Sequence, residues 1–115
     1  MKILIIEDNP DIKEVMDYIL KDDGHEVTPC SDGSSLSSID TIKPDLILMD
    51  EMLSGLRGST LCRLLKSDET TSHIPVVLIS AMTNLKETAI KCGANAYIEK
   101  PFNIDNLIAV VKRFA

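Results

Sequence analysis

Polar side chains of complementary chemical type follow four apolar runs of this chain of 115 residues. They are Glu7 and Asp8 after Ile3–Ile6, Asp50 after Leu46–Met49, Ser80 after Val76–Ile79, and Lys100 after Tyr97–Ile98 and Glu99. Residues just past the ends of parallel strands meet at the carboxyl edge of an open α/β sheet. We therefore expect three carboxylates, one hydroxyl and one ammonium around a single pocket. This mixture of groups suits a divalent metal ion and a phosphoryl group.

The acidic residues of this set favour a metal ion. Three neighbouring carboxylates repel one another, so that without a counter-ion one of them would have to be protonated. Mg²⁺ binds to one or two carboxylates and keeps several waters and substrate oxygens, which fits a shallow, open pocket. A structural alternative also exists, in which Asp8 caps the helix that follows and Glu7 is merely solvated.

The remaining residues of the set indicate phosphoryl transfer. Asp50 follows four apolar residues, which places its carboxylate at the rim of the core. A carboxylate can act as a nucleophile toward phosphorus and form an aspartyl phosphate. Lys100 would neutralise charge on the transferring group, and Ser80 would donate a hydrogen bond to a phosphoryl oxygen of the product.

The elements that would position these residues alternate between strands and helices. The predicted strands are Ile3–Ile6, Glu26–Cys30, Leu46–Met49, Val76–Ile79 and Ala96–Ile98. Apolar residues at helical spacing predict five helices, through Ile12, Val15, Met16 and Ile19; Leu36 and Ile39; Leu61, Leu64 and Leu65; Leu85, Ala89 and Cys92; and Ile104, Leu107, Ile108 and Val111. This alternation is typical of a doubly wound parallel α/β sheet with helices on both faces. The second and fifth strands are the shorter or more polar ones and belong at the edges, which favours the order 2-1-3-4-5.

Composition and charge exclude several classes of protein. A hydrophobic content of 44% with 26% charged residues is typical of one globular domain. The net charge of −6 argues against direct binding to nucleic acid, and no apolar run approaches the ~18 residues of a membrane span. Cys30, Cys62 and Cys92 lack the spacing of a zinc site or disulfide framework, which favours free thiols in a reducing cytoplasm.

The motifs together identify a family resemblance over essentially the whole chain. They are the acidic pair Glu7-Asp8, the acceptor aspartate Asp50, the pair Ser80-Ala81, the aromatic Tyr97 and the run Lys100-Pro101-Phe102. With them the chain resembles the receiver domain of response regulators in two-component signalling, of the kind found in chemotaxis receivers. The resemblance implies a flavodoxin-like fold and a cis peptide bond between Lys100 and Pro101.

The resemblance also implies a role for each residue of the site. Asp50 is then the phosphoacceptor, with Lys100 and Ser80 contacting the phosphoryl group. Mg²⁺, or Mn²⁺ in its place, is expected on Glu7, Asp8, Asp50 and the backbone carbonyl of Met52. Ser80 and Tyr97 are then the residues that switch the surface of the fourth helix, fifth strand and fifth helix on phosphorylation.

The partners that follow from the resemblance are proteins. A histidine kinase or a histidine phosphotransfer protein would supply the phosphoryl group, and a downstream protein target would receive the signal.

We expect residues 1–115 to form one receiver domain with no effector domain. We expect this domain to be cytoplasmic and to make no direct contact with nucleic acid or membrane. We also expect a monomer, with dimerisation on phosphorylation left open. It would be a signalling switch and not a metabolic enzyme, although its own phosphorylation and dephosphorylation would be self-catalysed.

Three alternatives are open at this point. A phosphatase of the haloacid dehalogenase type would need a D-x-D motif where this chain has Glu7-Asp8-Asn9. A flavodoxin-like nucleotide binder would need a phosphate loop rich in Ser, Thr and Gly at the same place. A degenerate receiver would bind partners without being phosphorylated.

The chain departs from the family pattern at two places. Ser54 stands where the family commonly has proline, and without proline the loop after the third strand is expected to be more mobile. The stretch from Ser80 to Gly93 is about two residues shorter than in many receivers, and this shortening falls on the loop and helix that usually carry the output signal.

Overall fold

A computed structural model describes the whole chain, Met1–Ala115, as a five-stranded sheet flanked by helices. The strands are β1 (Lys2–Ile6), β2 (Glu26–Cys30), β3 (Leu46–Asp50), β4 (Val76–Ser80) and β5 (Ala96–Glu99). The helices are α1 (Pro10–Asp22), α2 (Ile39–Ile42), α3 (Gly58–Ser67), α4 (Leu85–Cys92) and α5 (Ile104–Lys112), with a 3₁₀ helix at Gly33–Ser38 before α2. Every predicted element is present, although the second helix is mostly 3₁₀.

All strand pairs are parallel, and the strand order is β2-β1-β3-β4-β5, which confirms the predicted order. Every residue of β3 and β4 is buried, as expected for strands that are covered on both faces. β2 pairs only with β1 and contains Pro29, a residue that cannot donate to a sheet ladder and is therefore confined to edges.

Two apolar layers cover the faces of the sheet. One layer joins β-strand residues to Met16, Ile19 and Leu20 of α1 and Leu107, Val110 and Val111 of α5. The other joins strand residues to Ile39 of α2, to Leu61, Cys62 and Leu65 of α3, and to Leu85, Ala89 and Cys92 of α4.

No helix is long and apolar enough to pass through a bilayer.

The predicted apolar faces of three helices are too wide. Val15, Leu64 and Ile104 continue the helical spacing of α1, α3 and α5, yet they are 52%, 59% and 56% exposed. A short helix that lies on a sheet buries one narrow stripe, and residues at the border of that stripe remain in contact with water. Helical spacing therefore locates the helix correctly but overestimates its buried face.

The three cysteines are free thiols, as predicted. Cys62 and Cys92 are buried between α3 and α4, and the Cys62 thiol donates a hydrogen bond to the Cys92 carbonyl oxygen at 3.4 Å. Burial and the neighbouring Cys92 raise the pKa of Cys62 to about 12, so that this thiol stays protonated near neutral pH.

Candidate functional site

The carboxyl edge of the sheet brings the predicted site residues together. In the parallel register Ile6 pairs with Met49, and Asp50 pairs with Ile79, so that the residues that end β1, β3 and β4 lie side by side. Ser80 pairs with Glu99, which places Lys100 just beyond the end of the neighbouring strand. These strand ends therefore lie at the same edge of the sheet, as expected from the parallel arrangement.

The three predicted acidic residues form one cluster. Glu7, Asp8 and Asp50 each offer a carboxylate oxygen, and these three oxygens all lie within 4.8 Å of one another. Glu7 and Asp50 are only 1% and 5% exposed, whereas Asp8 is exposed. Hard oxygen donors with one open side fit Mg²⁺ or Mn²⁺, because these ions keep waters beside one or two carboxylates.

Lys100 provides the positive charge of the pocket. Its Nζ atom lies 2.7 Å from Oε1 of Glu7 and 3.5 Å from Oδ1 of Asp50. Its backbone N–H donates to the carbonyl oxygen of Ser80 at 2.9 Å, and the peptide bond to Pro101 is cis, as the family resemblance implies. The backbone of β4 thus holds the backbone of Lys100 in place, and from there the Lys100 ammonium reaches the carboxylates of Glu7 and Asp50.

The electrostatics of Glu7 reflect its burial. Desolvation is the largest effect and raises the pKa of the Glu7 carboxyl, and the charge of Asp50 acts in the same direction. Hydrogen bonds from the Lys100 ammonium and from the backbone N–H of Asn9 oppose that increase. A divalent cation in the pocket would oppose it further, because it favours the ionised form of all three carboxylates.

The other three predicted residues lie on β4, on β5 and in the loop after β3. Ser80 is 1% exposed, and its Oγ atom accepts a hydrogen bond from the Met82 backbone N–H at 3.2 Å. Tyr97 lies on β5, half-buried, and packs against the apolar layer beneath α3 and α4. Met52 lies in the loop after β3 with its side chain 60% exposed. The roles of these residues remain predictions.

The structural alternative for the first two acidic residues is wrong. The helix α1 is capped by Asn9, whose Oδ1 accepts hydrogen bonds from the N–H groups of Asp11 and Ile12 at 3.0 and 3.1 Å. Asp8 is therefore free of that role, and Glu7 is buried, not solvated.

Sequence reasoning missed the role of Glu51 and the contact that Ser54 makes with Asp8. Glu51 is 0% exposed and accepts hydrogen bonds from the N–H and the hydroxyl of Ser59 at 2.6 and 2.9 Å. The hydroxyl of Ser54 lies 3.4 Å from Oδ2 of Asp8. One signal for Glu51 was available in the sequence, since Arg57, the residue before α3, has no side-chain oxygen that could cap the helix, and a carboxylate lies shortly before it in the chain.

Comparison with known proteins identifies the family. The family model of the response regulator receiver domain matches residues 3–112 of this sequence, and the chain therefore belongs to that family. Its members are the signalling switches of two-component systems, and phosphorylation and Mg²⁺ are general features of the family. This membership rules out the haloacid dehalogenase and nucleotide-binding alternatives.

Relatives of known sequence or structure agree with this assignment. The DNA-binding response regulator MtrA of Mycolicibacterium smegmatis is 33% identical over 114 residues, which cover 96% of this chain and 49% of the relative. The chain thus spans about half the length of the curated relatives it matches.

Two solved structures are similar in both sequence and fold. The receiver domain of NtrX from Brucella abortus is 38% identical with a TM-score of 0.88, covering 97% of this chain and 96% of that one. The receiver domain of a sensor histidine kinase from Pseudomonas aeruginosa is 30% identical with a TM-score of 0.88, covering 98% and 95%. That second structure is described with a magnesium ion coordinated in its active site cleft.

Proposed function

We propose that Asp50 accepts a phosphoryl group from the phosphohistidine of a histidine kinase or a histidine phosphotransfer protein. The observation that carries the proposal is the position of the Lys100 ammonium, 2.7 Å from the Glu7 carboxylate and 3.5 Å from that of Asp50. A buried aspartate beside a second carboxylate and an ammonium is suited to bind a group whose negative charge lies on oxygens around phosphorus.

In the proposed transfer, a carboxylate oxygen of Asp50 attacks phosphorus in line with the bond from phosphorus to the imidazole nitrogen of the donor. The new O–P bond forms as the N–P bond breaks, and the imidazole leaves with the electron pair of that bond. Lys100 balances the charge of the phosphoryl oxygens, and the Ser80 hydroxyl donates a hydrogen bond to one of them in the product.

The metal-binding residues in this proposal are Glu7, Asp8, Asp50 and the backbone carbonyl of Met52. Bound Mg²⁺ would supply positive charge that neutralises the phosphoryl oxygens. Asp8 is the exposed member of the set, which leaves one side of the cluster open to the donor protein. The carboxylate cluster within 4.8 Å and its hard donor atoms support this part of the proposal.

The output in this proposal is a change of surface. Movement of Ser80 toward the phosphoryl group, together with a turn of Tyr97, would bias the surface of α4, β5 and α5 between two states. A downstream protein target would bind one of these states, and the unphosphorylated domain would be a monomer. Residues 1–115 act as one receiver domain in this proposal.

Incubation with acetyl phosphate and Mg²⁺ tests the acceptor. The intact mass of the wild-type protein should increase by one phosphoryl group, and Asp50→Asn should abolish that increase. Asp45→Asn is the matched control, because Asp45 precedes the opposite end of the same strand and accepts a hydrogen bond from the Lys2 N–H at 2.8 Å. Failure of the wild type to gain the mass, or full phosphorylation of Asp50→Asn, would contradict the proposal and favour a degenerate receiver.

A further inference from the structure

A buried glutamate directly follows the proposed phosphoacceptor. Glu51 is 0% exposed, and its carboxylate takes part in none of the ion pairs of the molecule. A buried carboxylate without a cation must be compensated by hydrogen bonds. The groups that donate hydrogen bonds to Glu51 therefore show which part of the structure this side chain stabilises.

Those donors belong to the first turn of α3. The backbone N–H of Ser59 donates to Oε1 of Glu51 at 2.6 Å, and the Ser59 hydroxyl donates to Oε2 at 2.9 Å. N–H groups of a first helical turn have no partner within the helix, and the positive end of the helix dipole lies there. Arg57, the residue that precedes α3, makes no side-chain hydrogen bond to them. Glu51 therefore caps α3 from the end of the neighbouring strand.

The backbone around this cap is closely packed. The N–H of Glu51 donates to the carbonyl oxygen of Ile79 on β4 at 2.9 Å, and its own carbonyl oxygen accepts from the N–H of Gly58 at 3.0 Å. A Cβ atom on Gly58 would lie 2.3 Å from the carbonyl oxygen of Asp50. The start of α3 thus lies directly against the backbone of Asp50 and closes the base of the loop 51–57.

We propose that Glu51 is a positioning residue for the metal and phosphoryl site, an inference that rests on the proposed function. Its cap holds the two ends of the loop 51–57 together, and with them the backbone of Asp50 and the carbonyl of Met52. Glu51 does not contact the reacting atoms. It acts through the loop geometry, which decides how well that carbonyl and the Asp50 carboxylate can bind one ion.

Three substitutions separate the parts of this cap. Glu51→Met keeps the length of the side chain but leaves both Ser59 donors without an acceptor. Glu51→Gln removes the charge but keeps an oxygen for the Ser59 N–H and an amide that can donate to the Ser59 hydroxyl. Ser59→Ala removes the hydroxyl bond alone.

The first measurement is the affinity for Mn²⁺, used as the spectroscopic probe and followed by electron paramagnetic resonance on the folded protein. Supporting residues around a metal commonly contribute about 10–100-fold to affinity, and we expect Glu51→Met to lose about tenfold. Glu51→Gln should restore the affinity to within about twofold of the wild type, because it keeps the hydrogen-bond geometry of the cap. Ser59→Ala should fall between the two.

The second measurement needs no metal. Hydrogen exchange of the Ser59 amide should accelerate about tenfold or more in Glu51→Met, because its acceptor is lost, and remain slow in Glu51→Gln. This readout reports on the cap itself and distinguishes it from a direct effect on the ion.

The matched control is Thr71→Val at the other end of α3. Thr71 is buried, and its hydroxyl donates to the carbonyl oxygen of Leu65 at 2.7 Å, so that the substitution also removes a buried hydrogen bond of this helix. We expect Thr71→Val to lower the stability of the fold without changing the Mn²⁺ affinity of the folded protein.

Each outcome decides between the proposals. Wild-type protein that is not phosphorylated by acetyl phosphate and Mg²⁺ would overturn the proposed function. Wild-type protein that is phosphorylated and binds Mn²⁺, together with a Glu51→Met variant of unchanged Mn²⁺ affinity, would overturn the positioning role alone. Glu51→Gln as weak as Glu51→Met, with its Ser59 amide still protected, would also overturn it, because charge and not geometry would then set the affinity.

Discussion

The loop after β3 and the segment after β4 leave the same edge of the sheet from adjacent strands, yet side chains hold them very differently. In the loop 51–57, Glu51 bonds to Ser59 at the base and Ser54 contacts Asp8 at 3.4 Å. In the segment 81–84, the one side-chain hydrogen bond joins the Met82 N–H to Ser80. The helix that follows it, α4, begins without a side-chain cap.

This difference matches the two tasks that we propose for the two regions. Binding an ion and a phosphoryl group requires atoms held within a fraction of an ångström, and hydrogen-bonded side chains supply that rigidity. A switching segment must instead have two arrangements of similar free energy, which few local bonds permit. The loop after β3 is held at its base as a positioning element requires, and the greater mobility expected at Ser54 stays a prediction. The segment after β4 has the properties of an element that can move.

The largest expected effect comes from the base of the loop after β3. Gly58→Ala would place a Cβ atom 2.3 Å from the Asp50 carbonyl oxygen, and neither backbone can move without disturbing the site. We expect a loss of about 3 kcal/mol in the free energy of unfolding, at the upper end for overpacking, measured by urea denaturation.

Gly55→Ala in the same loop is the control for this experiment. Gly55 has a φ of +92° but no atom within 4 Å of its Cβ position, so that the cost should be only the left-handed backbone, about 1 kcal/mol. If the two variants lost the same free energy of unfolding, the base of the loop 51–57 would not be tightly packed. The contrast with the segment 81–84 would then no longer hold.

The second effect concerns the helix starts. Asn9→Ala removes the two hydrogen bonds that cap α1 and should cost about 1 kcal/mol. Asn84→Ala at the start of α4 removes no side-chain hydrogen bond and should change the stability by less than about 0.5 kcal/mol. Thermal or urea denaturation of both variants checks this, and a cost for Asn84→Ala as large as that for Asn9→Ala would mean that α4 is anchored after all.

The smallest effect is expected at the tip of the loop. Ser54→Ala removes an exposed contact of 3.4 Å to Asp8 and should change the stability by less than about 0.5 kcal/mol. We expect the Mn²⁺ affinity to fall by about twofold, below the usual range for residues that orient metal ligands, because water can replace the exposed hydroxyl. A tenfold loss would show that this contact, and not the Glu51 cap, mainly orders the loop.

Sequence reasoning predicted where the site lies because the polar residues of the site directly follow the ends of the apolar strands. Asp50 and Ser80 follow fully apolar runs, so that their position at the edge of a parallel sheet follows from strand length and the doubly wound topology. The narrower stripes of α1, α3 and α5 were not predicted, because helical spacing does not report how deeply a helix lies on the sheet. Val15 and Leu64 show this directly, since they have the correct spacing and are exposed.

The sequence by itself determined the α/β alternation, the strand order and the set of chemical groups at the carboxyl edge, because all three depend on local patterns of apolar and polar residues. Only the tertiary structure decided that Glu7 is buried against Lys100, that Asn9 and not Asp8 caps α1, and that Glu51 caps α3. In each case the residues are distant in the chain, or two residues compete for the same role. Which of them form hydrogen bonds depends on the donors and acceptors that the packed backbone brings within hydrogen-bonding distance, and no local sequence pattern encodes that distance.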